Sequence, residues 1–359
     1  MGTITRYIFH KTVFLCIACL SGLVLLIMIS RFFGNLSLFA EHNADLQTVL
    51  MHTALSVPQV VYWVLPFSVC LGILATQAAL SRHVETIAMQ ACSVSTYRIF
   101  LPYILAGILA TFAMASVSFY VYPMAQKKAD RIENINIRKR DIDGSFSVTG
   151  GRFKVGGDIY FVEHMDIDKG IMNNVTCYRT SSGKLRAVLK AEKARWNKQF
   201  WSVDRLDVIH LGEKGISMNH SMHALPLERG PADLVMAQTN PEVLPIGDLK
   251  NYLEYLEKDG IRSTSVETVY YSRISFSFSP IIMTILVLPF GMRFPRAGGI
   301  ARGISLGLVL GLSYWFLHSS MTSLGTSGML QPAIASWAAN IAAVSLGITL
   351  LYTRRSTYG

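Results

Sequence analysis

Six stretches of the chain stay apolar for long enough to cross a hydrocarbon core of about 30 Å as helices. They fall at about Val13–Ser30, Val57–Leu80, Ile99–Val121, Ile274–Met292, Gly303–Met321 and Pro332–Tyr352. Between the third and fourth the pattern changes to short apolar or alternating runs. These are Phe153–Val155, Asp158–Glu163, Asn174–Arg179, Leu185–Lys190, Trp201–Leu211 and Met222–Leu227. Turn clusters separate them at Gly150-Gly151, Gly156-Gly157, Asp168–Gly170, Ser181–Gly183 and Gly212–Gly215. Short strands with regular turns predict a sandwich or jellyroll. Leu249, Tyr252, Leu253 and Leu256 then share one helical face, with Gly260 as a stop signal.

The predicted class is membrane α plus β: six transmembrane helices (3+3) with a β-jellyroll domain inserted between helices 3 and 4. The expected boundaries are 1–126 for the first three helices and 127–245 for the β domain. A connecting amphipathic helix is expected at 246–272 and the last three helices at 273–359.

Charge fixes the expected orientation. Only 16% of residues are charged, where a soluble domain has about a quarter. Residues 127–267 hold 22 basic and 20 acidic residues, leaving 11 basic and 3 acidic for all the rest. The net charge of +10 therefore arises mostly beside apolar runs and is no nucleic-acid footprint. With the N-terminus inside, the inner flanks carry Arg6, Lys11, Arg82, Arg98, Arg293, Arg296, Arg302, Arg354 and Arg355 against Glu85 alone. The short loops on the other side hold Arg31, Glu41 and Asp45. The positive-inside rule predicts both termini in the cytoplasm and the central domain outside, periplasmic in a Gram-negative inner membrane. The first span lacks a convincing cleavage site and reads as an uncleaved anchor.

Catalytic motifs are missing. There is no phosphate-binding loop and no H-E-x-x-H, so any ATP used must be hydrolysed by another chain. No catalytic residue and no metal site is expected. The spans contain no Asp or Glu, which argues against a proton-coupled carrier. His318, near the outer end of span five, reads as packing or interfacial contact ahead of a relay. Cys16 and Cys19 satisfy C-x-x-C, but inside a lipid-buried helix they read as small core residues. Cys177 is alone in the hydrophilic middle, so no disulfide forms within that domain.

Several features carry candidate function. In the loop of about 81–95, Val84, Ile87, Ala88 and Ala91 share a helical face with Glu85 on its flank. Such a helix fits either a cation-lined groove on a partner or the lipid surface. Gly303, Gly307 and Gly311 recur at i, i+4, i+8 in span five, permitting close helix approach within one subunit or between two. Ala335, Ala339 and Ala343 repeat that spacing in span six. Arg31, followed by Phe32 and Phe33, suits a lipid phosphate or ordinary snorkelling. Phe32, Phe33, Trp63, Phe67, Tyr314 and Phe316 are candidates for an apolar lipid cavity. Ile159, Phe161, Val175 and Val188 are expected on the inward faces of the strands, as a lipid groove or simply as a sandwich core.

The six-span layout with a β domain in mid-chain resembles the lipopolysaccharide export permeases of the LptF/LptG type. The words that carry the resemblance are Arg6-Tyr7-Ile8, Leu55-Ser56-Val57-Pro58, Val84–Ala91 and Leu249–Gly260, in that order along essentially the whole chain. The resemblance implies a heterodimer of two such permeases with a dimeric LptB-like cytoplasmic ATPase, which holds the ATP and Mg. It also implies an LptC-like single-span bridge protein, an LptA-like soluble bridge, and lipopolysaccharide as the cargo. By the same resemblance the loop helix is a coupling helix, with Glu85, Ala88 and Met89 at the ATPase, and Arg31 meets lipid-A phosphates. The chain departs from the pattern at Ser93, where the family often has Gly. It also has Gln59, where some G-type members carry Lys, and no lysine in Asn35–His42. The leaning is towards the G-type. A competing reading, a membrane-anchored sensory or ligand-binding module, needs fewer spans and fewer glycine-lined faces than this chain has.

Overall fold

The computed structural model describes residues 2–41, 45–133, 147–155, 158–166, 169–181, 184–197, 199–212, 215–219, 224–225, 227, 230, 241–258, 263–293 and 299–355. The chain divides into two compact units, a helical one (Met1–Arg138 with Pro241–Gly359) and a sheet one (Lys139–Asn240).

The helical unit begins with α1 (Thr3–Gly34), whose 32 residues meet no Pro and no stop signal before Gly34-Asn35. At 1.5 Å per residue it is about 48 Å long, more than a bilayer core needs. Arg6, Lys11 and Arg31 therefore lie inside the helix near its ends, where the sequence placed them as flanks. Two short helices, α2 (Leu36–Glu41) and α3 (Leu46–Leu55), lead to α4 (Val57–Arg82). Pro58 opens α4 in its first turn, where a missing N–H costs nothing. This helix is apolar on every side, and it is the buried axis of the unit. The short α5 (Glu85–Ala91) precedes α6 (Thr96–Ser116), which runs through one π-helical stretch, Val117–Val121, into α7 (Tyr122–Ile132).

After the sheet, α8 (Ile246–Lys258) buries Leu249, Tyr252 and Leu256, the face its periodicity predicts; Gly260 lies outside the described residues. Span four is not the single helix expected. It is α9 (Thr264–Ser277) and α10 (Ser279–Val287), whose axes differ by 49° with the break at Phe278. The cause is Pro280, which lacks an N–H and disfavours helix in the residue before it. Past the break, the Ile281 N–H is taken up by Thr111 Oγ1 of α6 at 3.2 Å. The last two spans are α11 (Gly299–Thr326) and α12 (Pro332–Arg355), separated by a turn with Gly328 at φ 79°. Among the described residues five helices are long and apolar enough to cross a membrane, or six with the bent pair counted as one.

The sheet unit is antiparallel throughout: β1 (Ser147–Val155), β2 (Asp158–Asp166), β3 (Ile171–Ser181), β4 (Lys184–Trp196), β5 (Trp201–Val203), β6 (Leu206–Gly212), β7 (Gly215–Asn219) and β8 (Ala224–Leu225). β1 to β4 form a meander. The long β4 then divides its free edge, pairing β6 along Ala187–Ala191 and β5 along Ala194–Trp196. Tyr160, Met172, Cys177, Leu189 and Trp201 lie in its core. Burial pushes the Cys177 thiol pKa up, and the Tyr160 phenol with it. Two strand expectations change. Gly150-Gly151 is no turn but part of β1, with Gly151 opposite Val162. The Met222–Leu227 run contributes only Ala224–Leu225 as described strand. The predicted turn at Gly156-Gly157 lies outside the described residues.

Candidate functional site

Glu85 is the first residue of α5, where a carboxylate suits the positive end of a helix. Its Oε1 faces α1, 3.5 Å from Lys11 Nζ and 3.4 Å from the Tyr7 hydroxyl. Lys11 in turn donates to the Tyr7 hydroxyl at 3.0 Å. Tyr7 and Lys11 are four residues apart on one helix face, so α1 presents both to the same acid. The backbone bends sharply on either side of α5, with Val84 at φ 63° and Ser93 at φ 58°. Ile87, Ala88 and Ala91 are exposed, while Met89 turns inward onto the helical core. Of the three residues expected at a partner ATPase, Ala88 is on the free face, Glu85 is shared with α1, and Met89 is not on that face.

At the other end of α1, the Arg31 guanidinium donates through Nη1 to Gln59 Oε1 at 2.6 Å. Gln59 Nε2 points to the Tyr122 hydroxyl at 3.5 Å. The Tyr122 ring stacks on Tyr62 (5.7 Å, 10°), and the Arg273 guanidinium lies 5.8 Å from its centroid. Arg273 is only 4% exposed and donates to the carbonyls of Leu244 and Glu242, the latter at 2.8 Å. These contacts tie the ends of α1, α4, α7 and α9 together. Sequence reasoning began span four one residue after Arg273 and so missed it. An Arg next to the start of an apolar run was the available signal.

A cavity of about 300 Å³ opens beside this cluster. Tyr62, Trp63, Phe276 and Trp315 give it aromatic walls, and Ser272, Thr322 and Arg273 give it polar ones. His318 also lines it, 5% exposed, with Nε2 3.3 Å from Ser272 Oγ and its ring between Phe276 and Tyr314. Of the six residues expected to line a lipid cavity, Trp63 alone lines this space. Tyr314 is buried and donates to Asn340 Oδ1 at 2.6 Å. Phe32 packs on Phe39 and Val49, whereas Phe33 and Phe316 face outward. Helical geometry explains Phe316: Trp315 takes the cavity position, so its neighbour, 100° further round, cannot.

Phe67 has a different task. A Cβ on Gly311 would stand 2.6 Å from Phe67 Cδ1, and one on Gly307 would stand 2.8 Å from Leu71 Cδ2. These glycines thus let α11 close onto α4 within one chain; the surroundings of Gly303 lie outside the described residues. Ala335, Ala339 and Ala343 are likewise buried. A similar approach joins α1 to α4, where a Cβ on Gly72 would stand 2.6 Å from Cys16 Cα. α1 and α11 both pack on α4, yet Phe14, Leu25, Leu26 and Phe33 of α1, and Val309, Leu312 and Phe316 of α11, stay uncovered. In the sheet the four expected groove residues do not share a face. Ile159 and Val188 both pair with Tyr178, and Phe161 lies on that same side, while Val175 pairs with Val162 and Ala191 in the core. The period of two separates them.

Among the described residues, five or six apolar helices, one of them the buried axis, with an antiparallel sheet inserted in mid-chain, define a multi-pass membrane protein. The family profile described as lipopolysaccharide export system permease LptF/LptG matches residues 6–353, and the chain belongs to this family. The lipopolysaccharide export system permease protein LptG of Escherichia coli (strain K12) is 24% identical over 326 residues, covering 86% of this chain and 87% of the relative. The LptF permease of the same organism is 20% identical over 357 residues, 97% of this chain and 94% of the relative. A Shigella flexneri LptF matches to the same extent. The chain is thus a permease subunit of the lipopolysaccharide export system, located in the inner membrane, with a leaning to the G-type.

Proposed function

We propose that the chain is one of two permease subunits that draw lipopolysaccharide out of the inner membrane and hand it to a periplasmic bridge. A separate dimeric ATPase binds the ATP and Mg and supplies the energy. The observation that carries this reading is the uncovered apolar surface of α1 and α11 on either side of α4. A second permease applied there encloses a chamber walled by lipid-like side chains. Enclosure matters because each acyl CH₂ exposed to water costs about 0.8 kcal/mol.

In this reading both termini are cytoplasmic, three spans precede and three follow the periplasmic domain, and the antiparallel sheet is a jellyroll-like continuation of the lipid path. The free face of α5, with Glu85 at its edge, docks on the ATPase. Arg31 takes a lipid phosphate at the opposite end of α1, and the cavity beside Trp63 and Arg273 receives part of the cargo. The single-span and soluble bridge proteins follow on the periplasmic side.

A mild-detergent pull-down of the tagged chain from its native host, followed by mass spectrometry, tests the assembly. A second six-span permease and a cytoplasmic ATPase are expected in the eluate. Recovery of the chain alone, or with a kinase-like partner, would overturn the proposal.

A further inference from the structure

We propose that Gln59 is a positioning residue for Arg31, holding its guanidinium ready for a phosphate monoester on a lipid headgroup. The inference rests on the reading of Arg31 above and adds to it the residue that makes that site.

The assignment of roles at this contact is forced. Arginine only donates, so the amide oxygen of Gln59 must face it, as the 2.6 Å contact to Oε1 has it. That leaves the amide nitrogen directed at Tyr122. Tyr122 cannot readily follow a moving amide, because it is buried, stacked on Tyr62 and covered by Arg273. Gln59 itself stands in the first turn of α4, directly after Pro58, whose fixed φ sets that turn. On the other side, Phe32 is packed against Phe39 and Val49, which anchors the chain next to Arg31.

The neutrality of Gln59 is what makes this a receptor. A carboxylate at this position would orient the guanidinium but also neutralise it. The amide takes one N–H and no charge, leaving four N–H groups and the whole positive charge. No ion pair among the described residues involves Arg31. A cation that is oriented but not compensated loses little conformational entropy when an anion arrives. The planar guanidinium edge matches two phosphate oxygens in a way that a Lys ammonium does not.

The test uses the full chain with its copurifying partners in lipid nanodiscs. The probes are a bisphosphorylated acylated diglucosamine lipid and its enzymatically dephosphorylated form, and dissociation constants are measured for each. Wild type is expected to prefer the phosphorylated lipid, and Arg31→Gln to lose that preference. Gln59→Met keeps the length but removes the acceptor, and it should weaken the phosphorylated lipid roughly five- to tenfold, the net worth of one ordinary hydrogen bond. It should leave the dephosphorylated lipid unchanged and should add nothing in an Arg31→Gln background. Thermal unfolding in the same nanodiscs verifies folding, and Gln59→Asn, one carbon too short, gives the same result if Gln59→Met does not fold.

If Arg31→Gln abolishes the preference while Gln59→Met is silent, the positioning role fails and the reading of Arg31 survives. Additive losses in the double variant would also overturn it, since Gln59 would then act without Arg31. Retained preference in Arg31→Gln sinks both. Equal competition by free inorganic phosphate would overturn the assignment to a lipid headgroup.

Discussion

Val84 and Ser93 bracket α5 as a pair of left-handed residues, φ 63° and 58°, neither of them glycine. Such a backbone costs a non-glycine residue about 1–2 kcal/mol, and most for a β-branched one such as Val84. The bends turn the chain out of α4 into α5 and set Glu85 against Lys11 and Tyr7 of α1.

Ser93→Gly should therefore stabilise the protein, by about 1 kcal/mol at most once the extra entropy of glycine is counted. Thermal unfolding in detergent reads this directly. A lower midpoint would mean that the Ser93 hydroxyl supplies something the backbone argument omits.

Glu85→Arg places a cation against Lys11 and reverses the charge offered by the free face of α5. The lost pair is partly exposed and long, and contributes about 1 kcal/mol or less, so the chain should remain folded. ATP turnover by the assembled complex should persist while lipopolysaccharide release from proteoliposomes falls. Wild-type release by this variant would remove α5 from the coupling path.

Gly311→Leu inserts a side chain where Phe67 already lies within 2.6 Å of the first added carbon. Overpacking of this kind costs about 1–3 kcal/mol, and here it pries α11 from α4. A cysteine pair engineered across these two helices should crosslink well in the parent and poorly in the variant. Unchanged crosslinking would show that the contact has slack.

Cys177 offers a pH test of the sheet unit. Burial raises its thiol above the ordinary value of about 8.5, so the thiolate is scarcer than in a free cysteine at any pH below that range. Because the folded-state pKa is raised, the linked stability is fully present below the unfolded value of about 8.5 and is lost as pH rises from there through the folded value. At pH 8 maleimide should modify exposed Cys92 and spare Cys177 until denaturant is added. Equal rates in the native protein would mean that the strands open freely.

Hydrophobic run length placed the apolar segments, and it did so because lipid imposes one demand along an entire helix. What run length cannot register is a break or a partner. The bend at Phe278 needed Pro280 to be read as a helix start and Thr111 as the acceptor of a stray N–H. Trp63 reached the cavity, but Phe316 did not, since aromatic composition says nothing about rotation about a helix axis. Glu85 and Arg31 were recognisable as lone charges beside apolar runs. Their neighbours Lys11, Tyr7 and Gln59 come from spans that only folding brings together. In the sheet, strict alternation would have separated Val175 from Val188 had register been known, and register is a property of strand pairs.

The contact between Cys16 and Gly72 gives α1 an unusual mechanical character. Most packed helices keep their backbones apart by a layer of side chains, but here the Cys16 backbone and its small thiol lie directly on Gly72. That closest approach is a natural fulcrum for α1, with the buried Ile8 and Thr12 on its short arm. Counted from Cys16, the arm towards Lys11 is about 7 Å and the arm towards Arg31 about 22 Å, at 1.5 Å per residue. A tilt of about 5° therefore shifts Arg31 by about 2 Å and Lys11 by well under 1 Å in the opposite sense. That is enough to part a 2.6 Å hydrogen bond at the long end while the short end keeps its grip on Glu85.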